Sequence, residues 1–211
     1  MYLPAGKERI LKVFFREPWA EFHQRELARR AKVPVNNAHK YLGEFVDGGL
    51  LLRRELSNMT LFQPNWESSH LLKIFEMFEV SQREDFLTRN KSIARLLMKA
   101  TEIMVQGSET HVQLVMLFGS VARGTWTAQS DIDLLVLASM GGTHIDKAFH
   151  KASTEVRSVL EIAPVFTTIE AAVIGFRERR AFHQEVWGDR VVLYNEFLFW
   201  QVVKRGFIAH G

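Results

Sequence analysis

The 211-residue sequence contains no cysteine, which excludes disulfides and thiolate metal centres. It has no run approaching the roughly 20 apolar residues that a membrane helix needs. Its first ten residues, MYLPAGKERI, lack the apolar core of a secretory signal. The eight histidines are scattered without metal-ligand spacing, so none is assigned a role. These absences lead us to expect a soluble, cytoplasmic protein with no membrane partner. What is present suits a globular chain of one large domain or two small ones. Charge is placed unevenly: residues 1–65 hold 11 Lys+Arg against 7 Asp+Glu, and the remainder 16 against 17. The basic excess that would attract a polyanion therefore sits in the first third.

The stretch FGSVARGTWTAQSDIDLLVL, residues 118–137, carries the most chemistry. The apolar run HVQLVMLF leads into it and suits a strand covered on both faces. Gly119, Ser120, Arg123 and Gly124 then supply what a phosphate-binding turn needs: close backbone approach, a hydroxyl and a cation. The following strand, SDIDLLVL, sets Asp131 and Asp133 two residues apart and so on one face. Two hard oxygen ligands beside a phosphate cradle describe a Mg²⁺–nucleotide site. Ser130 is placed to cap the turn or to orient a carboxylate.

This string resembles the Gly-Ser…Asp-x-Asp signature of the polymerase-β-like nucleotidyltransferase superfamily. It is most similar to the minimal nucleotidyltransferases of prokaryotes, closely over residues 118–137 and loosely beyond. The resemblance implies transfer of a nucleoside monophosphate from an NTP, ATP by preference, to an acceptor hydroxyl. It implies Mg²⁺ or Mn²⁺ held by Asp131 and Asp133, and nucleotide bound by Gly119, Ser120, Arg123 and Ser130. In active relatives a third strand supplies a third carboxylate that helps deprotonate the acceptor. Here that strand, LEIAPVFT, has Ala163-Pro164-Val165 at its middle. Glu161 is the nearest substitute as a base, whereas Glu170 is assigned to a capping box from Thr167. A missing general base costs on the order of 10²–10⁴ in rate, so slow turnover and binding without transfer both stay open. Pro164 also removes a ladder donor, which places this strand at a sheet edge.

Before this region, GKERILKVFFRE, QRELARRAKV and NNAHKYLGEFVDGG read as three helices, the third capped by Asn36. LLLRREL and LFQPN read as a hairpin turning at Ser57-Asn58. Residues 6–65 resemble a winged helix-turn-helix domain. That resemblance implies duplex DNA as a partner, contacted by Asn36, Asn37, His39 and Lys40 on the third helix and by Arg53 and Arg54 near the wing. A helix from Ser68 or Ser69 and a longer one opened by Ser81 and Glu84 then connect to the site. Downstream, THIDKAFHKASTEVRSVL is an amphipathic helix with Ile145, Ala148, Phe149, Ala152, Val156 and Val159 inward. A further helix over IEAAVIGFRERRAFHQEVWGDR, a short strand VVLYN and a last helix capped by Asn195 complete the chain.

The expected fold is α+β: a winged helix-turn-helix over 1–66, connecting helices over 67–106, and an α/β nucleotidyltransferase domain with a mixed sheet over 107–211. Two functions follow. One is a nucleotidyltransferase coupled to DNA binding, with an antitoxin that modifies a toxin-type protein partner as the most specific form. The other is a non-catalytic transcription regulator whose transferase-like domain senses nucleotide or dimerises. A homodimer would suit a palindromic operator.

Overall fold

The computed structural model describes residues 3–108, 111–139, 143–155 and 160–208. The chain is α+β, and it divides into two compact units, Met1–Phe78 and Glu79–Gly211.

The first unit runs α1 (Ala5–Arg16), β1 (Phe22–His23), α2 (Gln24–Arg30), α3 (Val35–Asp47), β2 (Leu51–Leu56) and β3 (Met59–Pro64). Its sheet has the order β1-β3-β2 and is antiparallel throughout. Ile10, Leu11 and Phe14 of α1, Leu27 of α2, and Ala38 and Leu42 of α3 are fully buried or nearly so. They recur at helical spacing, and that common apolar face is what holds the three helices together. Two details differ from the sequence reading. Asn36 does not cap α3. Pro34 occupies the cap position at φ −54° and ψ 140°, the extended conformation a cap requires, and its carbonyl accepts from the Ala38 amide at 2.9 Å. The strand β1 is the other. It has two residues, with Phe22 opposite Phe62, too few to show an alternating pattern.

The division between the units falls inside α4 (Ser69–Arg89). Ser68 caps this helix, its Oγ accepting from the Leu71 amide at 3.3 Å. The expected restart at Ser81 and Glu84 does not occur, because no glycine or proline interrupts residues 69–89 and the hydrogen-bond ladder continues. The break comes at Asn90, at φ −116° and ψ 48°, whose side-chain amide donates to the Phe86 carbonyl at 2.8 Å.

The second unit continues with α5 (Lys91–Gly107), β4 (Val112–Phe118), α6 (Gly119–Arg123), β5 (Ile132–Ala138), α7 (Thr143–Glu155), β6 (Ile162–Thr167), α8 (Ile169–Arg177), α9 (Ala181–Asp189), β7 (Val191–Tyr194) and α10 (Glu196–Ile208). The sheet order is β6-β5-β4-β7. The β5–β6 pair is parallel across the α7 crossover and the other pairs are antiparallel. The sheet is therefore mixed, and Pro164 sits on an edge strand. Val115 and Leu117 of β4 and Leu134 and Val136 of β5 pack with Ile93, Leu97, Ala100 and Met104 of α5 and Ala152 of α7. Val156 and Val159 of the expected amphipathic helix, and the side chain of Ile145, lie outside the described residues. By strand alternation Met116, Phe118, Asp133 and Leu135 occupy the opposite face, where α8 meets β5 and α9 and α10 meet β4.

The helix expected over 169–190 is two helices. Arg179 breaks it at φ +52°, and α9 then returns over the same face of the sheet. Thr168, not Thr167, caps α8, accepting from the Ala171 amide at 3.2 Å. Thr167 is instead the last residue of β6, paired with Leu137. Asn195 caps α10, accepting from the Leu198 amide at 3.1 Å. Among the described residues, no helix is long and apolar enough to cross a membrane.

Candidate active site

The two central strands deliver the site. β4 is apolar and buried up to Phe118, and there the chain turns through Gly119 at φ +73° into α6. A β-carbon at Gly119 would be strained by that φ and would collide with Asp133 Oδ2, so only glycine lets the turn lie against the carboxylate. The short α6 ends at Gly124, also left-handed at φ +74°. Phe118 is paired directly with Asp133 across the β4–β5 ladder, and Asp131 lies one residue before β5. The turn and both aspartates are thereby brought together at one end of the sheet. Ser120 and Asp133 are half-buried, while Asp131 and Arg123 are exposed. Neither carboxylate accepts a hydrogen bond from a described residue, and the Ser120 hydroxyl has no such partner either.

The charge of Asp133 is only partly compensated. Burial pushes the Asp133 carboxyl above its ordinary value, and the charges of Asp131 and Glu185 push it further, with Arg123 opposing. Two acids that repel one another, one of them packed on a glycine turn, suit a hard divalent cation. Among the described residues, no group of three or more acids and histidines is placed to hold a metal. The candidate ligands are therefore the pair alone.

The other expected residues are placed as follows. Ser130 closes the turn before β5, its hydroxyl accepting from the Thr127 amide at 2.9 Å. Arg123 forms an ion pair with Asp189 of α9. Beside α6, Arg123, Gly124, Asp189, Arg89 and Asn90 help to line a cleft of about 460 Å³. Ala163 is the direct neighbour of Asp133 in the parallel β5–β6 ladder, so the strand position beside that aspartate has no carboxylate. Glu161 is exposed just before β6, and its backbone carbonyl accepts from the Ile132 amide at 2.8 Å.

Sequence reasoning missed Glu185 and Asp189. The signal was available: Phe182, Glu185 and Asp189 fall at i, i+3 and i+7 of a helix, one face. Phe182 meets Phe118 edge to face at 5.5 Å, and Asp189 meets Arg123.

In the first unit, Asn36, Asn37, His39 and Lys40 are exposed on α3. His39 shares a hydrogen bond with Gln24 at 2.9 Å. The two arginines near the hairpin carry acidic partners, Arg53 with Glu55 at 2.7 Å and Arg54 with Glu21 at 2.5 Å.

No curated protein and no solved structure matches the chain. Residues 97–186, from within α5 to within α9, match the family model described as a nucleotidyltransferase domain. The segment that builds the Gly-Ser turn, both aspartates and most of α9 is thus similar to a nucleotidyltransferase domain.

Proposed function

We propose that this domain binds an NTP, ATP by preference, together with Mg²⁺ or Mn²⁺ at Asp131 and Asp133, and transfers the nucleoside monophosphate to an acceptor hydroxyl. One observation carries this reading: the Asp133 carboxylate is held against a left-handed glycine turn that leads into a free serine hydroxyl, and Asp131, two residues before it, adds a second, like charge. When bound, the cation would neutralise phosphate charge and polarise the reacting phosphoryl group. Ser120 would donate to a phosphate oxygen, and the missing side chain at Gly119 lets the backbone approach the phosphates. Arg123 would bind phosphate oxygens with the guanidinium donors that Asp189 does not occupy. The test is label transfer from α-labelled ATP with Mg²⁺, with and without the products of neighbouring genes. The wild type should label an acceptor and the Asp131→Asn/Asp133→Asn variant should not. An unlabelled wild type would contradict transfer.

A second reading rests on Ala163. An alanine beside Asp133 favours a domain that binds nucleotide without transferring it, as a sensor within a regulator. ATP binding in the absence of label transfer would favour it.

For the first unit we propose duplex DNA as partner. The modest basic excess and the exposed Asn36, Asn37, His39 and Lys40 on α3 support this. The paired state of Arg53 and Arg54 implies that these arginines would exchange Glu55 and Glu21 for phosphates. A mobility shift at low salt tests this, and absence of any shift would contradict it. A protein acceptor, as in an antitoxin that modifies its toxin, is the specific form of the transferase reading. The proposed compartment is the cytoplasm.

A further inference from the structure

We propose that Glu185 supplies the third carboxylate of the site, from α9 in place of the third strand, and that it receives the proton of the acceptor hydroxyl. The proposal rests on the nucleotidyltransferase reading above. Three placements carry it. Asp133 occupies the sheet face that α9 covers, since it alternates with Ile132 and Leu134 of the opposite core. Along α9, Phe182 is fixed on Phe118, the residue paired with Asp133, and Asp189 is fixed on Arg123 at the end of α6. Glu185 lies between these two anchors on the same helix face, three residues after one and four before the other. It is exposed, and Val186 beside it is fully buried, which fixes the rotation of the helix. The carboxylate is thus presented to solvent on the helix that packs against the Gly-Ser turn. At the strand position beside Asp133 stands Ala163. The acid absent from β6 is replaced from the helix that packs over the same end of the sheet.

The step balances. The acceptor O–H bond breaks and its proton passes to a Glu185 carboxylate oxygen. The acceptor oxygen then bonds to the α-phosphorus, while the bond from that phosphorus to the bridging oxygen breaks. Pyrophosphate leaves with that electron pair. The NTP is the sole co-reactant, and nothing is oxidised or reduced.

The experiment uses the full chain, Mg²⁺ and α-labelled ATP, reading two quantities: ATP affinity by calorimetry, and label passed to protein or released as AMP. The variants are Glu185→Gln, Glu185→Asp and Asp133→Asn. Glu185→Gln should keep ATP affinity within about threefold of wild type while transfer falls by about 10²–10⁴. Glu185→Asp should recover part of the transfer rate, and Asp133→Asn should lose affinity itself. Retained affinity also certifies that each Glu185 variant is folded. Transfer by Glu185→Gln at the wild-type rate would overturn the assignment and leave the nucleotidyltransferase reading standing. A wild type that binds ATP and passes label to nothing would overturn both.

Discussion

Gly119 and Asp133 constrain one another. The turn needs a left-handed residue and the carboxylate leaves no room for a β-carbon. Gly119→Ala should therefore cost at least the ~1–2 kcal/mol of an alanine in that conformation, with a further loss as Asp133 is displaced. A lower melting temperature together with weakened ATP binding would be its signature. His183 offers a separate check on the face that carries α9. Its ring lies edge-on to Phe176 and Phe182 at 5.0 and 5.3 Å, and both ring nitrogens are buried without a hydrogen-bond partner among the described residues. Burial, aided by Arg180, lowers its proton affinity below the ordinary histidine value. The unfolded chain thus binds that proton more readily than the folded one. The His183 contribution is intact above about pH 6.5 and is lost as pH falls towards the depressed folded value. Denaturant midpoints measured from pH 7.5 down to 5 should fall more steeply in wild type than in His183→Phe.

Helix boundaries show where local signals end. The Gly-Ser turn and the paired aspartates were legible because each depends on residue type at short spacing, whereas the mixed sheet around them was expected from the resemblance. The apolar runs of β4 and β5 mark central strands, and Pro164 marks an edge. The failures share another cause. Ser81-x-x-Glu84 has the composition of a capping box, yet a cap forms only where the preceding residues leave the helix, and α4 runs through it. The break between α8 and α9 lies at Arg179, a residue type with no turn preference, held left-handed by the structure around it. Because that break was invisible, so was the return of α9 over the sheet, and the shared helix face of Phe182, Glu185 and Asp189 had no site to be attached to. Asn195 was legible as a cap, and it does more than cap. At φ +69° it accepts from the Leu198 amide and donates to the Gln113 carbonyl at 2.8 Å, tying α10 to β4. Asn195→Ala should destabilise the second unit by about 1–2 kcal/mol, read as a shift in chemical denaturation midpoint. Asn195→Gly should recover the backbone part of that loss.

Within the second unit, residues far apart in sequence close around one buried ion pair. Glu79 opens the unit and is fully buried, and its Oε1 accepts from Arg190 Nε at 2.8 Å. The Arg190 guanidinium also lies 3.9 Å from the Trp187 ring centroid and donates to the Trp187 carbonyl at 2.8 Å. Burial raises the Glu79 carboxyl, and Arg190 works against that rise. Removing one partner strands a buried charge, so Arg190→Met should cost about 3–5 kcal/mol. Arg190→Met combined with Glu79→Leu should recover much of it, as a double-mutant cycle in urea would measure. Arg190 directly follows Asp189, the partner of Arg123, so this anchor also fixes the end of α9 beside the site. The central claim concerns what that site holds. Calorimetric titration of ATP into the full chain, with and without Mg²⁺, tests it most directly. The account predicts binding that requires Mg²⁺ and that weakens at least about tenfold, 1.4 kcal/mol, in Asp131→Asn/Asp133→Asn. Binding indifferent to Mg²⁺ or unchanged in that variant would contradict it.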